Sequence, residues 1–162
     1  MYSSKLKKIK YLLFDLHGVI LQNDSSVENI ESFERILAVL KTDIQLASRL
    51  NVPLGVISAS EDDSLLKQLY ATGINEIYSH SIDKVSQAEI LIKKYDLSYE
   101  EIAFIGDDIL DLPLLTKVGF SATTSNARRE VKRAVHYICK IKGTNSVISD
   151  ILTMIEKAKN SY

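Results

Sequence analysis

The chain has 162 residues, of which 46% are hydrophobic and 25% charged, with a formal net charge of −1. Length and balance fit one soluble domain with a core of its own. The near-neutral charge excludes a global field that would draw in nucleic acid or an anionic membrane, and a lone cysteine excludes an internal disulfide.

The first residues, MYSSKLKKIKYLLFDLHG, lack a long apolar stretch followed by a small-residue cleavage site. No apolar run approaches the ~20 residues needed to cross a bilayer, so a cytoplasmic protein is expected. Lys5-Leu6-Lys7-Lys8 reads as a solvated face or a strand-edge gatekeeper. Tyr11 to Phe14 is a short β-rich run, ended by Asp15 and Gly18. The stretch VENIESFERILAVLKTDIQLASRL, ending at Leu50, fits two patterns. It is one long helix, or Phe33 to Leu40 is a hairpin strand and Thr42 caps a helix to Leu50.

Further apolar runs follow at Val52 to Ser58, Ile77-Tyr78, Ile102 to Ile105, Ser121 to Thr123 and Tyr137 to Cys139. They run continuously rather than alternating, the pattern of strands covered on both faces in a parallel sheet. Between them lie amphipathic stretches. Asp62 to Thr72 carries Leu65, Leu66 and Leu69 and stops at Gly73. Lys84 to Tyr95 carries Val85, Ala88, Leu91 and Ile92. Leu110 to Val118 ends at Gly119, Asn126 to Ala134 starts on an N-cap residue, and Ser146 to Lys159 closes the series. Arg128-Arg129 with Lys132-Arg133 reads as a solvated helix face. Cys139 lies in an apolar run and reads as a small buried hydrophobe. No CxxC or HExxH occurs, so no zinc site is expected. Alternation of strand and helix predicts a doubly wound α/β fold with right-handed crossovers.

In such a sheet, ligands bind beyond the carboxyl ends of the strands. Polar residues stand there in order: Asp15 after the first strand, Ser58 after the second, Lys84 opening a helix, and Asp107, Asp108 and Asp111 after the fourth. Singly, each has an ordinary reading as a turn residue, a helix cap or surface. Together they make a site for Mg²⁺ and phosphate: hard oxygens for the metal, a hydroxyl and an ammonium for phosphoryl oxygens, and a carboxylate that needs no deprotonation to attack phosphorus. A response-regulator phosphoacceptor would instead carry its aspartate after the third strand.

These residues resemble the haloacid dehalogenase superfamily, with its DxDG-type first motif (here Asp15-Leu16-His17-Gly18), Ser58, Lys84 and a GDDxxD-type last motif (Gly106 to Asp111). The run GDDILDLPLLTKVGFSATTSNARREVKRAVHYICK is similar to capless KDO 8-phosphate phosphatases and to the C-terminal domain of animal sialic-acid cytidylyltransferases. The resemblance implies a Rossmann-like three-layer α/β/α fold over residues 1–162, with a mostly parallel sheet and no cap domain. It also implies a β-hairpin after the first motif, assembly as a homotetramer, and a small phosphorylated sugar as substrate. Asp15 would be nucleophile and Mg²⁺ ligand, His17 would give its backbone carbonyl to the metal, and Asp107 would be a further ligand, with Asp108 and Asp111 in support. Ser58 would bond the phosphoryl group, and Lys84 would neutralise charge on Asp15 and the phosphate.

The chain departs from this pattern at the same site. His17 stands where the superfamily has its proton-transfer aspartate. Relatives have SGR where this chain has Ser58-Ala59-Ser60, and a DG pair where it has about Leu40-Lys41. The glycine- and arginine-bearing tail GGxGAxRE reads here Lys142 to Asp150. The resemblance therefore supports two outcomes, a phosphatase for a small phosphate ester or a weakly active member used for assembly or regulation.

Overall fold

The computed structural model describes residues 1–21, 30–140 and 146–162. Six parallel strands form one sheet in the order β3-β2-β1-β4-β5-β6. They are β1 (Tyr11–Phe14), β2 (Leu54–Ile57), β3 (Glu76–Tyr78), β4 (Ile102–Ile105), β5 (Phe120–Thr123) and β6 (Tyr137–Ile138). Every residue of β1, β2, β4 and β5 is buried, which is why these strands read as unbroken apolar runs. The helices are α1 (Ser3–Lys7), α2 (Ile30–Leu50), α3 (Asp63–Tyr70), α4 (Lys84–Tyr95), α5 (Leu112–Leu115), α6 (Arg129–Ala134) and α7 (Val147–Asn160). Among the described residues, no helix is long and apolar enough to cross a membrane.

Side chains alternate across each strand and so feed two cores. Leu12 and Phe14 pack with α1, α2, α3 and α7. Tyr11 and Leu13 face the opposite layer, built from α4, α5 and α6. The result is the three-layer α/β/α sandwich expected from the sequence. Ile148, Ile151, Leu152 and Ile155 of α7 are almost wholly buried, each stabilising by roughly 1.5–3 kcal/mol through burial.

The expected hairpin strand over Phe33 to Leu40 is corrected: those residues belong to the 21-residue helix α2. Phe33, Leu40 and Ala47 recur at spacing seven and are buried, with Ile36, Leu37 and Ile44 packed beside them. That is a helical stripe, not a strand alternation. The part of the expected hairpin on residues 22–29 lies outside the described residues, as do Lys142 to Asn145 of the altered tail. Lys5 and Lys7 lie exposed on α1, which buries Leu6, as a solvated helix face. Boundaries move elsewhere: the helix expected over Leu110 to Val118 is the short α5, and α6 begins at Arg129 with Arg128, not Asn126, in the cap position.

One buried acid ties the helices of the first layer together. Asp43 of α2 is 4% exposed and accepts the Ser146 hydroxyl proton at 2.5 Å, while Ser146 caps α7 by accepting from Ser149 N–H at 2.9 Å. Burial pushes the Asp43 carboxyl up to about 6, the Ser146 bond opposing. The unfolded chain therefore ionises first. Below about pH 4 this group costs nothing; the cost grows as pH rises towards 6 and is complete above it. Asp43→Asn keeps an acceptor for Ser146 without the buried charge. We expect it to raise stability at pH 7.5 by roughly 1–2 kcal/mol and to leave it unchanged near pH 3.5, as read from urea unfolding at the two pH values.

Candidate active site

The order of strands reverses between β1 and β4, the first pointing its successors one way and the second the other. That switch point opens a crevice at the carboxyl ends of the strands, and the acids named above converge there. A cavity of about 400 Å³ is lined by Asp15, His17, Ser58, Lys84, Asp107 and Asp108, with Ala59, Ser60, Ile82, Leu110, Asn126 and Arg128 at its rim.

Asp15 follows β1 directly. Its N–H donates to the Ile105 carbonyl at 3.0 Å, continuing the sheet one residue past the strand. Oδ1 accepts from Leu16 N–H at 2.8 Å, and Oδ2 lies 2.8 Å from Lys84 Nζ. The side chain is thus fixed at both oxygens, each keeping a lone pair. Burial raises the Asp15 carboxyl above its ordinary value; Lys84 opposes this and Asp111 adds to it.

Lys84 opens α4 and is 5% exposed at its side chain. It bridges Asp15 and Asp111, donating to Asp111 Oδ1 as well. Burial alone would lower its pKa, but the two carboxylates outweigh burial and hold it above the usual lysine value. It stays protonated across the neutral range.

Asp111 is wholly buried. Its Oδ2 accepts from Asp107 N–H at 2.9 Å and Asp108 N–H at 3.1 Å, so it shapes the turn after β4. A Cβ on Gly106 would stand 2.7 Å from the Asp111 carboxyl, which explains the glycine that opens Gly106-Asp107-Asp108. With both oxygens engaged, Asp111 orients its neighbours and does not line the cavity. Asp107 does line it. Burial, and then the charges of Asp111, Asp15 and Asp108, push Asp107 up to about 6 in spite of Lys84.

Gly18 sits against Asp107. It has φ +83°, and a Cβ there would stand 1.6 Å from Asp107 Oδ2. Both facts require glycine: the backbone turn would strain any other residue, and a methyl group would displace the carboxylate. The turn is closed by Gly18 N–H donating to Leu21 O at 2.6 Å, and Thr124 Oγ donates to Gly18 O at 3.4 Å. His17, just before it, is exposed and lines the cavity. Ser58 follows β2 and is 1% exposed. Its Oγ accepts from Ser60 N–H at 3.1 Å, leaving its O–H to donate.

One oxygen from each of Asp15, Asp107 and Asp111 lies within 4.8 Å of the others. Crowded carboxylates with one ammonium among them are short of positive charge. The donor set, all hard oxygen, fits a divalent cation of the magnesium type, with Asp15 and Asp107 offering the carboxylates that face the cavity. The acids here are all expected from the sequence, whereas Asn126, expected only as a helix cap, and Arg128, expected on a solvated helix face, line the cavity as well.

Relatives point the same way. A profile of haloacid dehalogenase-like hydrolases matches residues 3–151. The 3-deoxy-D-manno-octulosonate 8-phosphate phosphatase KdsC of Haemophilus influenzae is 28% identical over 96% of this chain and 87% of its own. That of Yersinia pestis is 24% identical over 94% and 82%. Among solved structures, the cobalt-bound deoxy-D-mannose-octulosonate 8-phosphate phosphatase of H. influenzae superposes with a TM-score of 0.79 at 23% identity, covering 96% of this chain and 91% of its own. The Moraxella catarrhalis enzyme in complex with magnesium, phosphate and KDO gives 0.78 at 22%, covering 98% and 92%. With the fold, the strand-end acids and the match over residues 3–151 in agreement, the chain belongs to the haloacid dehalogenase-like hydrolases.

Proposed function

We propose that the protein is a Mg²⁺-dependent phosphomonoester hydrolase of small sugar phosphates, of the KDO 8-phosphate or nonulosonate 9-phosphate type, acting through a phosphorylated Asp15. The observation that carries the reading is the fixed Asp15 carboxylate, held by Leu16 N–H and Lys84 in the switch-point crevice. KdsC relatives covering most of this chain support the substrate class.

Asp15 and Asp107, with the backbone carbonyl of His17, would hold the metal, and Asp108 and Asp111 would support them. The bound ion supplies positive charge to the phosphoryl group and to the crowded carboxylates. Asp15 attacks phosphorus, forming an O–P bond as the ester O–P bond breaks, and the sugar leaves as an alkoxide that must gain a proton. Ser58 O–H donates to a phosphoryl oxygen. Lys84 offsets charge on Asp15 and on the phosphoryl group it carries. Water then attacks the phosphorus of the acyl phosphate, gives up a proton, and releases inorganic phosphate and the Asp15 carboxylate. His17 occupies the place of the group that passes these protons. One domain with no cap leaves the crevice open to a small ester. Assembly as a homotetramer, at four times the 18.2 kDa chain mass, is part of the proposal and is read by light scattering.

A second reading follows from His17. An exposed imidazole replaces a carboxylate, and general acid–base help is worth roughly 10²–10⁴-fold, so the domain turns over slowly and serves assembly or regulation. A phosphate-release panel of sugar phosphates with Mg²⁺, run on wild type and His17→Asp side by side, separates the two. We expect wild-type release above buffer that EDTA abolishes, and a rise of about tenfold or more in His17→Asp. A fall in His17→Asp would make His17 a working proton-transfer group. No release from either protein, with Mg²⁺ still bound, would sink the hydrolase reading.

A further inference from the structure

Among the described residues the cavity is lined by two basic side chains, Lys84 and Arg128, and they are engaged differently. Lys84 is buried and bound on both sides by Asp15 and Asp111, so its charge is largely spent on the carboxylates that surround it. Arg128 stands at the rim with its side chain 64% exposed. Its backbone N–H donates to the Asp107 carbonyl at 3.3 Å, and its side-chain Nε lies 3.1 Å from Asp108 Oδ1. Asp108 is itself fixed, accepting from Ile109 N–H at 2.7 Å.

An exposed ion pair of this kind adds little to stability. Its consequence is placement. A guanidinium carries five N–H donors in a planar fork. The ion pair keeps the guanidinium beside Asp108 and leaves the Nη donors, which have no protein acceptor among the described residues. Ile82 and Leu110 line the same cavity, 67% and 51% exposed. Exposed apolar side chains and a cationic fork thus share a cavity whose buried lining residues are Asp15, Ser58 and Lys84.

We propose that Arg128 is a specificity-determining residue that binds a second anionic group, a carboxylate, on the leaving-group side of a phosphomonoester substrate. This rests on the phosphatase reading above. A guanidinium matches a carboxylate bidentately, where an ammonium does not. The carbon chain between the substrate's two charged ends would lie against Ile82 and Leu110. Asp108 is then a positioning residue, acting through Arg128.

The test uses 6-phosphogluconate and sorbitol 6-phosphate, which differ by a carboxylate against a hydroxymethyl group at one end. With Mg²⁺, wild type should favour the acid in kcat/KM by about tenfold or more. Arg128→Ala should bring that ratio close to one, and Arg128→Lys should restore part of it. Should wild type release no phosphate from either, calorimetry on the unreacted protein reads the same ratio from dissociation constants, and the phosphatase reading is decided by the wider panel above. The assignment of Arg128 is overturned by a ratio that survives in Arg128→Ala, by equal losses for both ligands, or by a wild type that neither binds nor hydrolyses them.

Discussion

Asp15→Asn is expected to lower Mg²⁺-dependent phosphate release by at least ~10³-fold, to the background of the assay, without loss of the fold. The asparagine keeps a carbonyl oxygen to accept from Leu16 N–H, the bond now made at 2.8 Å. It loses the negative charge that attacks phosphorus. Nucleophile removal is severe because the neighbouring acids are committed elsewhere: Asp111 has both oxygens engaged by Lys84 and backbone N–H groups, and Asp107 would be taken up as a ligand of the metal. Stability should move little. One carboxylate fewer relieves the crowding that raises Asp15 and Asp107, while Lys84 loses one of two anionic partners. The two changes oppose each other. We expect a melting temperature within a few degrees of wild type in the metal-free protein, measured beside the activity. Retained turnover in a folded Asp15→Asn protein would place the nucleophile elsewhere.

The parts of this molecule that could be read from sequence are those whose cause is local. Tyr11 to Phe14 and Ile102 to Ile105 are buried on both faces, so they read as apolar runs ending in acids, and the structure has them as β1 and β4 with those bounds. Lys84 to Tyr95 likewise starts behind its capping aspartate, Asp83, which accepts from Ser86 N–H. Residues 30–50 are harder because their pattern fits a long helix or a hairpin strand followed by a helix, and resemblance to capless relatives favours the hairpin; packing of Phe33, Leu40 and Ala47 as one stripe against α7 and the sheet decides for the helix. Arg128 was invisible for a different reason. Its local context is that of any charged helix start, and only the juxtaposition of the turns after β4 and β5, residues distant in sequence, puts it beside Asp108.

The same juxtaposition makes Lys84 the residue on which the folded site most depends. Among the described residues, its ammonium is the one buried cation lining the cavity, set between Asp15 and Asp111 with Asp107 close by. Lys84→Met preserves the length and the apolar stem but leaves those carboxylates facing one another. Removing one partner of a buried pair costs about 3–5 kcal/mol, which for a chain of this size lowers the melting temperature by roughly 10 °C. The loss has a pH signature. With the ammonium gone, the folded state holds Asp15 and Asp107 further above their unfolded values, so the variant binds protons on folding. Its deficit must therefore shrink as pH falls towards 4 and be greatest above neutrality. It has a metal signature as well: a divalent cation bound to Asp15 and Asp107 in the folded state alone would return part of the stability by mass action. We expect Lys84→Met to melt well below wild type at pH 7.5 in EDTA, to recover several degrees in millimolar Mg²⁺, and to approach wild type at pH 4.5. A deficit that neither Mg²⁺ nor acid reduces would mean that Lys84 serves packing rather than charge, and the electrostatic account of this cluster would be wrong.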